Sequence, residues 1–446
     1  MNTPWTCLSA MPGVAWPAVP AFDQTYALAL LFQFERTQWL PAAELRRRAD
    51  AQLEALLGFA YDTVPYYRQA WGRRPVPAQL AELPLLARSD LQSHSPELFS
   101  HDPARGHGAM HEVRTSGSVG APVLVMKSAL QGILWRALTL RDHRWHRRDM
   151  ARALAVIRRG AGSGTAANWG SATEGVVQTG PLAVHDVDRD ADELLDWLKP
   201  HRPGYLLTYP SLAAELARRS LERGERLAGL LQVRTLGESL DEETRALCRD
   251  AWGVGIADVY SSEEVGYIAL QCPEHEHYHV QAESLLVEIL NERGEACRPG
   301  ETGKMVVTDL HNFAMPLVRY DIGDYAEVGE PCPCGRGLPV LKRIAGRVRN
   351  MLVTPQGRRL WPTLGLRKQT EVPKVRQYQF VQKALDLIEA RMVVSEPLTP
   401  KEEEFLRQRI CSRLPEGIRV VFSYLPAIPR GAGGKYEEFL SEVALR

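Results

Sequence analysis

No apolar run in this chain approaches the roughly 20 residues that a membrane span needs, so no membrane-embedded segment is expected. Neither sign of charge is in excess. The 54 Lys and Arg residues match 54 Asp and Glu, which removes bulk electrostatic attraction to nucleic acid or to a lipid surface. Cysteine is sparse, with 7 residues at irregular spacing among 446, and does not form the dense framework of a disulfide-built domain. Residues 1–20 lack a basic start and a long apolar centre, so no secretory signal is expected there. A reduced, cytoplasmic location follows by default. The usual nucleotide fingerprints are missing too. No Gly-Lys-Ser/Thr follows a glycine loop as in a Walker motif, and no Rossmann glycine pattern occurs.

What is present is a globular composition, 45% hydrophobic and 24% charged, in a chain long enough for two or three domains. Leu45, Ala49, Leu53, Leu56 and Ala60 recur at helical spacing and predict a packing helix that Pro65 ends. Further on, short apolar runs such as Ala153–Ile157, Tyr205–Thr208 and Val233–Leu236 alternate with amphipathic stretches such as Asp190–Leu198 and Ser211–Arg223. That alternation predicts α/β layers with largely parallel strands. Ligands of such sheets sit beyond the carboxyl ends of the strands, where Tyr260 and Glu264 fall. Leu285–Leu290 and Lys304–Thr308 predict an antiparallel β subdomain on that body. After Gly346 come strand-like runs at Tyr378–Val381, Met392–Ser395 and Ile418–Tyr424. A helix from Lys401 is expected among them, capped by Thr399 with Glu402. The fold expected is therefore α/β: a large N-terminal α/β body with an antiparallel β subdomain over residues 1–346, and a small mobile α+β C-terminal domain over 347–446.

Chemistry concentrates in a few stretches. Thr115-Ser116-Gly117-Ser118-Val119-Gly120-Ala121-Pro122 is rich in hydroxyls and glycine and leads into a strand. Its backbone N–H groups and hydroxyls could cradle phosphate oxygens, or it could be a plain turn. Cys272-Pro-Glu-His275-Glu-His277-Tyr-His279 precedes Cys332-Pro-Cys334. Thiolates and imidazole suit a tetrahedral Zn2+, and two unrelated reduced pairs in surface loops are the alternative. Trp169, Tyr205 and Tyr209 could line an apolar acid pocket or could be core.

In order along the chain stand the loop at Thr115–Pro122, Tyr-x-x-x-Glu at Tyr260–Glu264 and Arg-Tyr-x-x-x-Asp at Arg319–Asp324. Gly346-Arg347 and a near-terminal Pro-Arg…Gly-Lys at Pro429–Lys435 complete the series. Together they resemble the adenylate-forming superfamily of acyl-CoA synthetases, in its phenylacetate–CoA ligase-like branch, from about Tyr66 onward. The resemblance implies an AMP-forming ligase. It would activate a carboxylic acid, aromatic by preference, as an acyl-adenylate with loss of pyrophosphate, then pass the acyl group to CoA. An amide-forming ligase that uses an amine instead is the alternative, and a catalytically silent nucleotide-binding homologue is the reading from another class.

The resemblance also implies residue roles. Thr115, Ser116, Gly117, Ser118 and Gly120 would bind phosphates, and Gly237, Glu238 and Tyr260 would contact the nucleotide, with Tyr260 stacked on adenine. Glu264 would hold Mg2+ on ATP, Asp324 and Arg347 the ribose. Lys435 would reach the α-phosphate as the catalytic lysine. Members of the branch that carry structural zinc match Cys272, His279, Cys332 and Cys334. The expected partners are a small-molecule carboxylic acid, ATP, and CoA or an amine, with no nucleic acid and no membrane; a homodimer is compatible. The chain departs from the pattern at Val119, at Glu263 before the metal carboxylate, and at Arg349-Asn350, where the expected hinge is usually acidic.

Overall fold

The computed structural model describes residues 5–102, 107–115, 122–360, 362, 372, 374–430 and 435–443. The chain divides into two compact units, Met1–Ile344 and Ala345–Arg446, so the observed division precedes the expected one, 346/347, by two residues.

The first unit opens with helices α1 (Phe22–Thr37), α2 (Ala42–Thr63) and α3 (Pro65–Trp71). The residues at helical spacing on α2 all face the core. Pro65 ends α2 and begins α3 in the same step. It pushes Val64 into extended backbone at φ −113°, and its missing N–H falls where a first helical turn has no use for one. A short helix α4 (Arg88–Ser93) follows, then an antiparallel ribbon of β1 (Met110–Arg114) and β2 (Leu124–Ser128), and α5 (Ala129–Trp145).

The alternating half contains β3 (Leu154–Ile157), β4 (Gly164–Ala166), β5 (Leu182–His185), α6 (Ala191–His201), β6 (Tyr205–Thr208), α7 (Pro210–Arg223), β7 (Gln232–Leu236), α8 (Glu242–Trp252) and β8 (Gly255–Ser262). Strands β5, β3, β6, β7 and β8 pair in parallel. Helices α6 and α8 begin on aspartate caps, Asp190 to the Glu193 amide and Asp241 to the Thr244 amide, each at 2.8 Å.

From β8 the chain turns back antiparallel into β9 (Gly266–Gln271), then β10 (Tyr278–Val280), β11 (Leu285–Leu290), β12 (Thr302–Asp309), β13 (Tyr320–Val328) and β14 (Val340–Arg347). The antiparallel strands continue the parallel ones in one 12-stranded sheet, ordered β11-β12-β13-β14-β10-β9-β8-β7-β6-β3-β5-β4.

The second unit carries β15 (Leu352–Val353), β16 (Arg359–Leu360), β17 (Val375–Ala384), β18 (Leu387–Val394), α9 (Pro400–Cys411), β19 (Arg419–Tyr424) and β20 (Phe439–Ser441). Its four-stranded sheet, β19-β18-β17-β20, mixes one antiparallel and two parallel pairings. Thr399 and Glu402 form the reciprocal cap expected of α9. Phe380, Ile388, Met392, Leu406 and Ile410 form the core beneath. The segment that enters this unit is tied down at once. The Arg347 amide donates to Asn350 Oδ1, Asn350 Nδ2 to the Phe439 carbonyl at 2.7 Å, and Arg349 pairs with Glu437.

Arg319 locks the first unit together. It sits at φ +51°, a left-handed backbone that a residue with a Cβ adopts at a cost. In return its guanidinium makes a two-pronged pair with Glu288, both bonds at 3.1 Å, and donates to the Ala81 and Leu83 carbonyls. Its own carbonyl accepts from the Leu86 amide at 3.0 Å. Arg319→Ala should therefore destabilise the protein by about 3–5 kcal/mol, as loss of one partner of a buried pair does. Urea denaturation measures this, and a loss below about 1 kcal/mol would contradict the locking role.

Candidate active site and cysteine cluster

The carboxyl ends of β6, β7 and β8 set the site. Leu236 ends β7, and Gly237 turns the chain with φ +82°, a region glycine enters without strain. Glu238 then points back to α7, where its Oε2 accepts the Ser211 amide at 2.9 Å. On β8, the Tyr260 hydroxyl donates to Asp324 Oδ2 at 2.6 Å. Asp324 lies on β13 beside Gly323. One hydrogen bond thus joins the ring expected to meet adenine to the carboxylate expected to meet ribose.

Glu264 occupies the turn between β8 and β9 and is only 5% exposed. Its Oε1 accepts from Arg88 Nη1 at 3.1 Å, and Arg88 Nη2 reaches Thr115 Oγ1, also at 3.1 Å. Thr115 in turn accepts the Val123 amide at the base of the ribbon. The structure therefore joins Thr115 and Glu264 through a residue that the motif reading passed over. Arg88 has no motif around it. It arrives because the 81–86 segment is fastened to Arg319. Ser116, Gly117, Ser118 and Gly120 lie outside the described residues. Arg347 and Lys435 belong to the second unit, where Lys435 is half-buried.

All three aromatic candidates for an acid pocket are buried in core clusters. Trp169 donates its indole N–H to the Arg152 carbonyl, and the Tyr205 hydroxyl accepts the Asp149 amide at 2.7 Å. Both partners precede β3, so these rings pack at the amino end of the strands, away from the ligand end. Tyr209 follows β6 at the carboxyl end, its hydroxyl accepting the Arg159 amide.

The cysteines and histidines gather at the other side of β9. Cys272 Sγ stands 3.9 Å from Cys332 Sγ, and Cys334 Sγ stands 3.4 Å from His279 Nε2. The Cys334 amide donates to Cys332 Sγ. His277 joins them: one donor atom each from Cys272, His277, His279 and Cys332 lies within 4.8 Å of the others. His277 lies in the bend just before β10 and His279 on the strand itself. The resemblance points to His279 alone, and His277 reaches the cluster from that bend. Burial holds the His279 imidazole neutral, down to about 3, and pushes the Cys332 thiol up to about 12. His277 Nε2 and His279 Nδ1 are buried without a hydrogen-bond partner.

Arg88→Met should remove the cation from a buried carboxylate and lower stability by about 1–3 kcal/mol. Adding Glu264→Gln should recover part of the loss, because the stranded charge is then gone. Denaturation curves of the three variants check this, and an Arg88→Met protein as stable as wild type would refute the pairing.

Comparison with known proteins agrees with this geometry. Residues 365–442 match the family described as the CapK C-terminal domain. A phenylacetate–coenzyme A ligase of Thermus thermophilus is 27% identical over 452 aligned positions, covering 90% of this chain and 97% of that protein. One from Aromatoleum evansii is 26% identical over 72% of this chain and 74% of its own length. Among solved structures, a 2-hydroxyisobutyryl-CoA ligase in the postadenylation state superposes with a TM-score of 0.73 at 19% identity, over 92% of each chain. An anthranilate CoA ligase with bound anthranoyl-AMP gives 0.56 at 15% identity, over 73% of this chain and 64% of its own. The chain is thus similar to phenylacetate–coenzyme A ligases over most of its length and shares the fold of the solved acyl-CoA ligases.

Proposed function

We propose that this chain is an AMP-forming acid–CoA ligase. The observation that carries the reading is the Tyr260–Asp324 hydrogen bond, set beside Glu264 and Thr115 at the carboxyl end of the parallel strands. In the first step an oxygen of the substrate carboxylate attacks the α-phosphorus of ATP. The bond from that phosphorus to the bridging oxygen breaks, and pyrophosphate leaves. In the second step the CoA thiol gives its proton to solvent and its sulfur attacks the acyl carbon; the bond from that carbon to the phosphate oxygen breaks and AMP leaves. Tyr260 would orient the base and Asp324 the ribose hydroxyls, Arg347 would support the same sugar, and residues 115–120 would enclose the phosphates. Most of the first step is positioning and charge screening. Glu264 is the carboxylate that would hold Mg2+, an ion whose chemistry is to neutralise phosphate charge. An aromatic acid follows from the resemblance; of the three candidate rings only Tyr209, buried in the core, follows the carboxyl end of a strand.

Lys435 would screen the repulsion between carboxylate and α-phosphate as their bond forms. Its effect would be realised in that transition state. Lys435→Ala should slow acyl-adenylate formation by about 10²–10³-fold, while synthetic acyl-adenylate is still converted with CoA. A variant that adenylates at the wild-type rate would remove Lys435 from the mechanism. In the wild type, pyrophosphate should appear with an acid alone, and AMP release should accelerate with CoA. Acceleration by amines and not by CoA would make the protein an amide ligase.

We infer a structural zinc ion on Cys272, His279, Cys332 and Cys334, the set the resemblance implies, with His277 the alternative to Cys334, since it is His277 that shares a 4.8 Å group with the other three. Tetrahedral ligands at about 2.0–2.3 Å from zinc stand about 3.3–3.8 Å apart, close to the observed 3.9 and 3.4 Å. Four protein donors leave no position for water, so the ion would fasten β9 and β10 to the turn before β14 and not take part in the reaction. About one equivalent of zinc is expected by metal analysis of purified protein. Cys332→Ser should lose it together with thermal stability, and less than about half an equivalent in the wild type would exclude the site.

A further inference from the structure

Arg349 and Asn350 stand where the resemblance expects an acidic pivot, and the reaction gives neither of them a role. Within the second unit both side chains are committed to the far end of the chain. Arg349 Nε donates to Glu437 Oε1 at 2.8 Å, and its Nη2 bonds the same oxygen. The two side chains are only 20% and 25% exposed, so salt screens this pair less than a fully solvated one. Asn350 uses both ends of its amide. Its Oδ1 accepts from the Arg347 amide at 3.1 Å, and its Nδ2 donates to the Phe439 carbonyl at 2.7 Å. An acidic side chain at position 349 would repel Glu437, so the departure from the pattern is matched by its partner.

The anchored stretch is the one that follows Lys435. Gln379 Nε2 donates to the Glu437 carbonyl at 2.9 Å, and the Phe380 amide to the Glu438 carbonyl at 2.8 Å. Phe439 then opens β20, which pairs in parallel with β17. On the other side of Lys435 the sequence reads Gly431-Ala432-Gly433-Gly434, with no side chain larger than a methyl group. Glycine does not hold a backbone conformation by itself, so Lys435 takes its position from the residues after it. Arg347 and Lys435 are the two residues of this unit that the ligase reading sets at the ribose and the α-phosphate. Asn350 bonds the backbone at Arg347, and Arg349 bonds the side chain two residues past Lys435. The single helical turn Val348–Asn350 therefore holds both to one frame.

We propose that Arg349 and Asn350 are positioning residues that fix Lys435 relative to Arg347 for adenylation, Arg349 acting through Glu437. This rests on the ligase reading and on the role it gives Lys435. It takes the turn out of the pivot of the C-terminal unit and places it in the support of the first half-reaction. A pivot absorbs a change of backbone between steps. A turn closed by an ion pair and two hydrogen bonds changes only by breaking them.

The test reads pyrophosphate release in a single turnover, with an acid that the wild type accepts. Arg349→Met should slow it by about tenfold, a part of the 10²–10³-fold expected of Lys435 itself. The KM for ATP and the conversion of synthetic acyl-adenylate with CoA should stay within about twofold of the wild type. Arg349→Glu should be slower still, and adding Glu437→Arg should restore most of the loss, since the pair forms again with its charges exchanged. In a Lys435→Ala background Arg349→Met should cost nothing further, because nothing is left to position. A merely structural role would lower both backgrounds alike. Adenylation at the wild-type rate in Arg349→Met would overturn the inference, as would equal losses in both backgrounds. So would a loss confined to the CoA step, which would make Arg349 the pivot. If Arg349→Met does not fold, Glu437→Gln removes the charge at constant size and carries the same comparison in both backgrounds. Absence of pyrophosphate from the wild type with every acid would overturn the ligase reading and this inference together. Wild-type adenylation by Lys435→Ala would overturn the inference and leave the ligase reading standing.

Discussion

The two-pronged ion pair between Arg319 and Glu288 is the constraint on which the site's assembly depends. It would be an ordinary partly buried salt bridge if the same guanidinium did not also hold the carbonyls of Ala81 and Leu83. Those bonds lay the N-terminal segment along β13, where the Asp321 amide donates to the Leu86 carbonyl at 2.9 Å. Two residues past Leu86, Arg88 is then delivered to Glu264 and Thr115. On the other strand, Asp324 follows a few residues past the clamp and meets Tyr260. A left-handed backbone at Arg319 is the local cost, of order 1–3 kcal/mol, of fixing both arrivals from one point.

A second set of buried charges joins the two halves of the long sheet through α5. Arg141, fully buried, bonds Gln281, Glu283 and the Phe34 carbonyl, and Glu283 also accepts from Thr37. The next residue, Asp142, pairs with Arg148 and with Arg234 of β7, and Arg234 bonds the Tyr267 hydroxyl of β9. Neighbouring residues on one helix therefore bind the turn between β10 and β11 and the parallel strand β7. Such pairs contribute little net stability over a well-packed apolar core. Their geometry fixes one register between the halves, which is what a site built from β8, β9 and β13 requires.

Much of this was legible in the chain. The alternation of strands and helices and the cap at Thr399 and Glu402 rest on local pattern, whereas the resemblance assigned Tyr260 and Asp324 to one nucleotide without implying the bond between them. What was not legible depends on tertiary placement. Arg88 is an unremarkable arginine until Arg319 positions it. Trp169 and Tyr205 have the composition of a ligand pocket but sit at the amino ends of their strands, a distinction that sequence pattern does not encode. His277 likewise reaches the cluster from the bend before β10, a placement that no strand period predicts.

The central claim is that the acid's own oxygen becomes bonded to the α-phosphorus of ATP. The most direct measurement supplies the accepted acid with 18O in its carboxylate, together with ATP and CoA, and reads the nucleotide product by mass spectrometry. The account predicts AMP carrying one 18O atom per turnover, with unlabelled pyrophosphate. Formation of ADP, or label in inorganic phosphate, would mean attack at the γ-phosphorus and would contradict it.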